Sequence, residues 1–401
     1  MITDTRIHTH LFSGEIFTTK DESYNSDSFL QDDNLINDKY KKGEIRIVTE
    51  QARYPLDNIT TMIDSEKYDL NPEYQRRKRW DSKRKSRLIE SFIMNVPVPP
   101  IFLYEVDYSI YEVMDGLQRL TTIYDFYKGK FVLEDLEYWR ELNGRNYDNL
   151  PEQVRKGIDR RYLSSIVLLQ ETAKSKEEAD HLKQIVFERL NSGGEKLTPQ
   201  ETRNALHNGK FNQLCIKLAT ENECFRKMWK LPLESEGEEK LLVSERYRKM
   251  EDVELVLRFF AYRHVDKLAS PIDRFLDEYL KQANSFADET LKELEKLFND
   301  TVELIYGIFQ DSAFLVPTNE REYKKPSKII YDPIMQAFAL NISHRSNLLK
   351  NGKTIKENKY RDKKALFPSS GKSLFDGRNN NRGDVKSRIE YFDEFLKDYI
   401  S

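Results

Sequence analysis

The stretch EVMDGLQRLTTIYDF, residues 112–126, changes its hydrophobic period half-way along. Up to Asp115 it belongs to an apolar run, IYEVMD (110–115), which follows a second one, PIFLYEV (100–106), across the polar turn Asp107-Tyr108-Ser109. Two such runs joined by a short polar turn predict a β-hairpin. Beyond Asp115-Gly116 the apolar residues fall at Leu117, Leu120, Ile123, Tyr124 and Tyr127, the spacing of one helix face. A strand that passes directly into a helix predicts mixed α/β structure at this point in the chain.

Working outward, IRIVTEQ (45–51) reads as a short strand and LDNITTMID (56–64) as a short helix. NPEYQRRKRW (71–80) leads into a helix from about Ser82 to Asn95, with Leu88, Ile89, Phe92 and Ile93 on one face and the rigid break VPVPP (96–100) after it. SSIVLLQ (164–170) is a further strand candidate, and a helix over 176–190 stops at Asn191-Ser192-Gly193-Gly194. Thr198-Pro199-Gln200-Glu201 has the residues of a capping box and opens the next helix. Amphipathic helices are expected near 241–265, 272–283, 286–310, 328–346 and 384–400. The predicted class is α+β: a polar N-terminal arm (1–44), a small mixed α/β domain (45–210) and a mainly helical domain (211–401).

The 401-residue chain is 38% hydrophobic and 12% aromatic, enough for a packed core. With charged residues at 33% and a net charge of −3, nucleic acid would have to be met by a local patch and not by a global basic field. No apolar run approaches the length of a membrane span, and MITDTRIHTH has no apolar leader core, so a cytoplasmic protein without membrane partners is expected. Cys215 and Cys224 match no zinc or redox spacing, and the six histidines include no HExxH.

Asp115-Gly116 at the end of a strand leaves the first backbone N–H groups of the following helix at an open corner, which suits an anion, phosphate above all. Gln118 and Arg119 lie in the first turn, off the core face; a guanidinium there suits a triphosphate tail, and Asp115 could hold a magnesium ion bridging its oxygens. The alternative is that Asp115 merely caps the helix. A second candidate is the basic run: Arg76, Arg77, Lys78, Arg79, Lys83, Arg84, Lys85 and Arg87 stand against Glu73, Asp81 and Glu90 within residues 71–90. Cations in the first turns of a helix oppose its dipole, which points either to an external anion or to a solvated face paired with acids such as those of ESEGEE (234–239). In FERLNSGGEKLTPQETRNAL (187–206) the glycines follow a helix and lack a Gly-Lys-Ser/Thr ending, so helix capping accounts for them.

In this order, NPEYQRRKRW, ESFIMNVPVPPIFL, EVMDGLQRLTTIYDF and FERLNSGGEKLT resemble the N-terminal domain family of GmrSD-type, modification-dependent restriction enzymes, a branch of the ParB/sulfiredoxin-like fold. The family's Asp-Gly-Gln-Gln-Arg signature here reads Asp115-Gly116-Leu117-Gln118-Arg119, with Leu117 on the helix core face. The resemblance implies that Asp115, Gln118 and Arg119 bind or hydrolyse a nucleoside triphosphate of unspecified base, with magnesium at Asp115. Gly116, Gln75, Arg76 and Thr121 would help bind the nucleotide. Beyond what the resemblance requires, the basic run itself makes Arg77, Arg79, Lys83, Arg84, Lys85 and Arg87 the candidates to meet DNA, modified or not. Two-module members carry a C-terminal HNH nuclease; no His-centred HNH pattern is found in 211–401, so the chain is expected to be the sensor or nucleotide-handling half without its own nuclease, with a separate nuclease or ATPase subunit and a second copy of the chain (a homo-oligomer) as candidate partners. The alternatives are a DNA-binding or regulatory module without turnover, and a stand-alone metal-dependent nuclease.

Overall fold

A computed structural model describes residues 11–18, 33–42, 47–70, 77, 80–169, 176–190, 197–268, 271–317, 322–359, 374–375 and 381–400. The chain forms two compact units, Ser23–Leu197 and Met1–Glu22 with Thr198–Ser401. It is of the α+β class, with a small mixed sheet in the first unit and predominantly helical structure in the second.

In the mixed unit, helix α1 (Asp33–Lys42) precedes strands β1 (Thr49–Pro55), β2 (Tyr68–Asp69), β3 (Ile101–Asp107), β4 (Ile110–Asp115) and β5 (Tyr162–Leu168). Their order in the sheet is β1-β5-β3-β4-β2. The β1–β5 and β3–β4 pairs are antiparallel, and the β3–β5 and β2–β4 pairs are parallel. Helices α2 (Ile59–Asp64), α3 (Ser82–Met94), α4 (Leu117–Tyr127), α5 (Glu152–Asp159) and α6 (Lys176–Leu190) complete it. Leu88, Ile89 and Phe92 of α3 join Leu117, Leu120, Ile123 and Phe126 of α4 in a core with Ile101, Leu103 and Val113 of the hairpin. Each fully buried aliphatic or aromatic side chain of this kind contributes about 1.5–3 kcal/mol relative to exposure.

Several boundaries differ from the sequence expectation: the helix expected near 241–265 is three, Glu238–Val243, Glu245–Arg248 and Glu251–Tyr262, and the strand expected at 164–170 runs Tyr162–Leu168. The first strand runs Thr49–Pro55, reaching beyond the expected end at 51 (residues 45–46 of the expected strand lie outside the described residues), because its register is set by pairing with β5, from Thr49↔Leu168 to Pro55↔Tyr162. It is an edge strand, where a terminal proline costs no ladder hydrogen bond. The hairpin turn is shorter by one residue: Asp107 still pairs with Ile110, its side chain accepts the Tyr108 N–H at 2.8 Å, and Ser109 takes the left-handed conformation at φ 60°.

Helix α3 is capped at its start by Asp81, whose carboxylate accepts the Arg84 N–H at 2.7 Å, and at its end by the left-handed Asn95 before Val96-Pro97. The helical unit contains α7 (Pro199–Leu206), α8 (Lys210–Glu221), α9 (Glu223–Trp229), α10 (Glu251–Tyr262), α11 (Ile272–Ala283), α12 (Asp288–Phe309), α13 (Lys328–Leu340) and α14 (Arg382–Lys397), with shorter helices between them. The Thr198 capping box is present, its hydroxyl accepting from the Glu201 N–H and the Glu201 carboxylate from the Thr198 N–H. Phe259, Phe260 and Tyr262 are core residues. Two buried residues, Glu15 and Phe17, fall in the stretch that reads as a polar arm; Glu15 holds Arg263 through a pair of 2.8 Å bonds. A two-residue anchor has no periodicity for sequence reading to detect.

Candidate functional site

The corner between β4 and α4 is built around a glycine. Gly116 occupies the N-cap position at φ 95°, which only glycine adopts without strain, and a Cβ placed on it would lie 2.4 Å from the Ile101 side chain on the neighbouring strand. The close approach to Ile101 therefore fixes the direction in which α4 leaves the sheet. Asp115 does not cap the helix, contrary to the simpler of the two sequence readings. No side chain among the described residues caps α4; instead Arg119 Nη2 donates to Asp115 Oδ2 at 2.8 Å and to the Pro100 carbonyl at 3.2 Å. The guanidinium is largely buried, at 15% side-chain exposure, whereas the Asp115 carboxylate is 47% exposed. Arg119 Nε is buried with no hydrogen-bond partner among the described residues.

Gln118 Oε1 accepts the Trp80 backbone N–H at 3.1 Å, which ties the chain entering α3 to the first turn of α4. The Thr121 hydroxyl donates back to the Leu117 carbonyl at 2.9 Å, and the buried Thr122 hydroxyl to the Gln118 carbonyl at 2.6 Å. Leu117 is buried, as its place on the helical pattern requires. Asp115, Gly116, Gln118, Arg119 and Thr121 thus share one corner. Gln75, Arg76 and Arg79 lie outside the described residues.

The basic run divides into buried, paired and open positions. Arg77 is buried at 3% exposure. Lys85 bonds Asp125 at 3.0 Å beside the Phe131 ring, and Lys83 bonds Asp135 at 3.0 Å. That bond, with the Lys83 charge behind it, holds the Asp135 carboxyl below its ordinary value. Arg84 and Arg87 are exposed, with no ion-pair partner among the described residues. The unfavourable position of these cations is relieved locally, by the Asp81 cap and by carboxylates of the same unit.

Two features of the unit escaped sequence reading. Glu90 is buried at 3% exposure, and its carboxylate accepts the N–H groups of Glu137, Tyr138 and Trp139 at 3.3, 2.8 and 2.9 Å. One turn earlier, Ser86 Oγ accepts the Glu134 N–H at 2.9 Å. Polar residues at 86 and 90 inside an apolar helix face are the signal that could have indicated this loop anchor. Lys183 on α6 bonds Glu112 on β4 at 2.6 Å with both side chains mostly buried, and no local pattern announces a pair so far apart in sequence.

Residues 59–208 match the family model described as GmrSD restriction endonuclease, N-terminal domain. No curated protein matches the chain, and no solved structure matches it either. No helix among the described residues is long and apolar enough to cross a membrane.

Proposed function

We propose, from the GmrSD N-terminal domain that residues 59–208 carry, that this chain is a restriction or anti-phage defence component in which the Asp115–Arg119 corner binds and hydrolyses a nucleoside triphosphate and thereby regulates DNA recognition. The observation that carries the reading is the Asp115–Arg119 pair. A helix-capping aspartate would direct its carboxylate to backbone N–H groups; this one faces a guanidinium and remains half exposed. The first-turn N–H groups and Arg119 would then receive phosphate oxygens, with Arg119 stabilising charge that develops on the transferred phosphoryl group.

No cluster of three or more metal-ligating side chains occurs among the described residues. A single exposed carboxylate fits magnesium that arrives on the nucleotide and keeps most of its ligands from phosphate and water. Asp115 would hold that ion, whose charge offsets that of the phosphate oxygens. Gln118 acts here as a positioning residue, since its carbonyl oxygen is already held by the Trp80 N–H.

A second reading, a DNA-binding regulatory module without turnover, draws support from the internal bonds that occupy Gln118 and Thr121. The deciding experiment is phosphate release from ATP, GTP, CTP and UTP with magnesium, with and without duplex DNA, by wild type and Asp115→Ala. Turnover that DNA alters and Asp115→Ala abolishes supports the enzyme. Nucleotide binding by the wild type without release of phosphate favours the regulatory module.

A further inference from the structure

The loop that follows α4 holds two large aromatic side chains in water. Leu133, Leu136 and Leu142 turn into the core of the mixed unit, while Tyr138 is 68% and Trp139 is 39% exposed. Exposed aromatics on a loop are ordinarily free to collapse onto neighbouring apolar surface. Here the backbone beneath them is fixed: the buried Glu90 carboxylate takes the N–H groups of both residues, the Asn143 side chain takes the Leu136 N–H at 3.1 Å, and Arg140 Nε donates to the Glu137 carbonyl at 3.2 Å. Burying a carboxylate is costly unless it is fully hydrogen-bonded, so the fold commits a charged group to holding this dipeptide in place.

Charge in this part of the unit is divided, with acids on the loop and cations on α3. Arg87 lies one turn before Glu90 on α3, on the face that holds the loop, and its charge reaches the Asp135 carboxylate. With Arg84 it supplies exposed cations that have no ion-pair partner among the described residues. On the loop itself Glu134, Glu137 and Glu141 oppose phosphate. Such an arrangement suits a ligand whose phosphates meet the helix while an uncharged, flat group meets the aromatics.

We propose that Tyr138 and Trp139 form a preorganised stacking platform for an unpaired base of single-stranded DNA, with Arg84 and Arg87 taking the flanking phosphates. The proposal rests on the DNA-directed reading above. Base stacking on aromatic side chains needs no sequence match and a rigid platform loses little conformational entropy on contact.

The test compares a fluorescein-labelled single-stranded oligonucleotide with its fully paired duplex, using the full chain, by anisotropy. Tyr138→Ala/Trp139→Ala is expected to weaken the single strand roughly tenfold or more while leaving duplex binding within about twofold, and Trp139→Phe is expected to retain affinity. Thermal unfolding at the wild-type temperature shows that the double variant is folded. Quenching of tryptophan emission by the single strand, lost in Trp139→Phe, is the accompanying signature. A double variant that binds the single strand as tightly as wild type overturns the platform; loss of self-association in that variant would then assign the pair to a protein contact. Wild-type protein that binds duplex but not single-stranded DNA overturns the platform alone. Protein that binds neither overturns the DNA-directed reading with it.

Discussion

Arg119 Nη2 joins Asp115 Oδ2 at 2.8 Å and the Pro100 carbonyl at 3.2 Å, so one nitrogen ties the end of β4 to the chain entering β3. If the corner handles nucleotide, this ion pair must loosen for Asp115 to meet magnesium and for Arg119 to meet phosphate. Arg119→Lys keeps the charge but replaces the planar guanidinium, whose Nη2 serves both partners, with a compact ammonium. Phosphate release by Arg119→Lys is expected to fall by about 100-fold or more, the scale for removing one preorganised charge-stabilising donor. Unaltered turnover in this variant would remove Arg119 from the chemistry. Chelation of magnesium with EDTA is expected to abolish turnover altogether.

Gly116→Ala is expected to destabilise the mixed unit by roughly 2–4 kcal/mol, combining a left-handed backbone that alanine resists with a methyl group forced into Ile101. Urea unfolding measures it. A loss below about 0.5 kcal/mol would show that the corner can shift away from Ile101 on β3 freely.

Glu90→Gln replaces one acceptor oxygen with an NH₂ group facing N–H donors. A stability loss of about 1–3 kcal/mol follows from leaving such donors without a partner. Amide exchange should rise at Glu137, Tyr138 and Trp139 before it rises in β4. Unchanged protection of those three amides would mean that the loop is held by its leucines alone.

Arg84→Ala/Arg87→Ala tests the open end of the basic run. If both side chains meet DNA phosphates, the slope of log affinity against log salt becomes shallower by about 1.4 on a single strand and about 1.8 on duplex, since each neutralised phosphate contributes about 0.7 and 0.9 respectively. An unaltered slope removes them from the DNA surface. Alanine at Lys83, which is already paired with Asp135, is expected to alter the slope less.

Lys359 is buried at 4% exposure, with its ammonium directed at the Ser312 and Ala313 carbonyls, and burial lowers its pKa to about 7. The unfolded chain keeps that lysine protonated to about pH 10.4. Above pH 7 the unfolded state therefore binds more protons than the folded one, and stability rises with pH. Between pH 7 and 8.5, below the range where cysteine titration in the unfolded chain dominates, wild-type stability should increase, and Lys359→Met should flatten the increase. Equal slopes for the two proteins in urea titrations would show that Lys359 remains charged when folded.

The period change at Asp115-Gly116, the hairpin that precedes it, the Thr198 capping box and the apolar faces of α3 and α4 are local patterns, and the sequence by itself determined them. It also determined the α+β class and the clustering of Asp115, Gly116, Gln118, Arg119 and Thr121, because neighbours along a strand–helix turn are neighbours in space. What only the tertiary structure decided involves partners distant in sequence. The start of β1 follows from its register against β5, and Gly116 is required because Ile101 packs against it. The basic run becomes buried Arg77, paired Lys83 and Lys85, and open Arg84 and Arg87 only once Asp125 and Asp135 are folded beside it. Asp115 is a partner of Arg119 and not a cap for the same reason: the Pro100 carbonyl, brought in by β3, holds the guanidinium where it meets the carboxylate. Hydrogen bonds and ion pairs need angstrom-scale placement, which residue order alone does not encode.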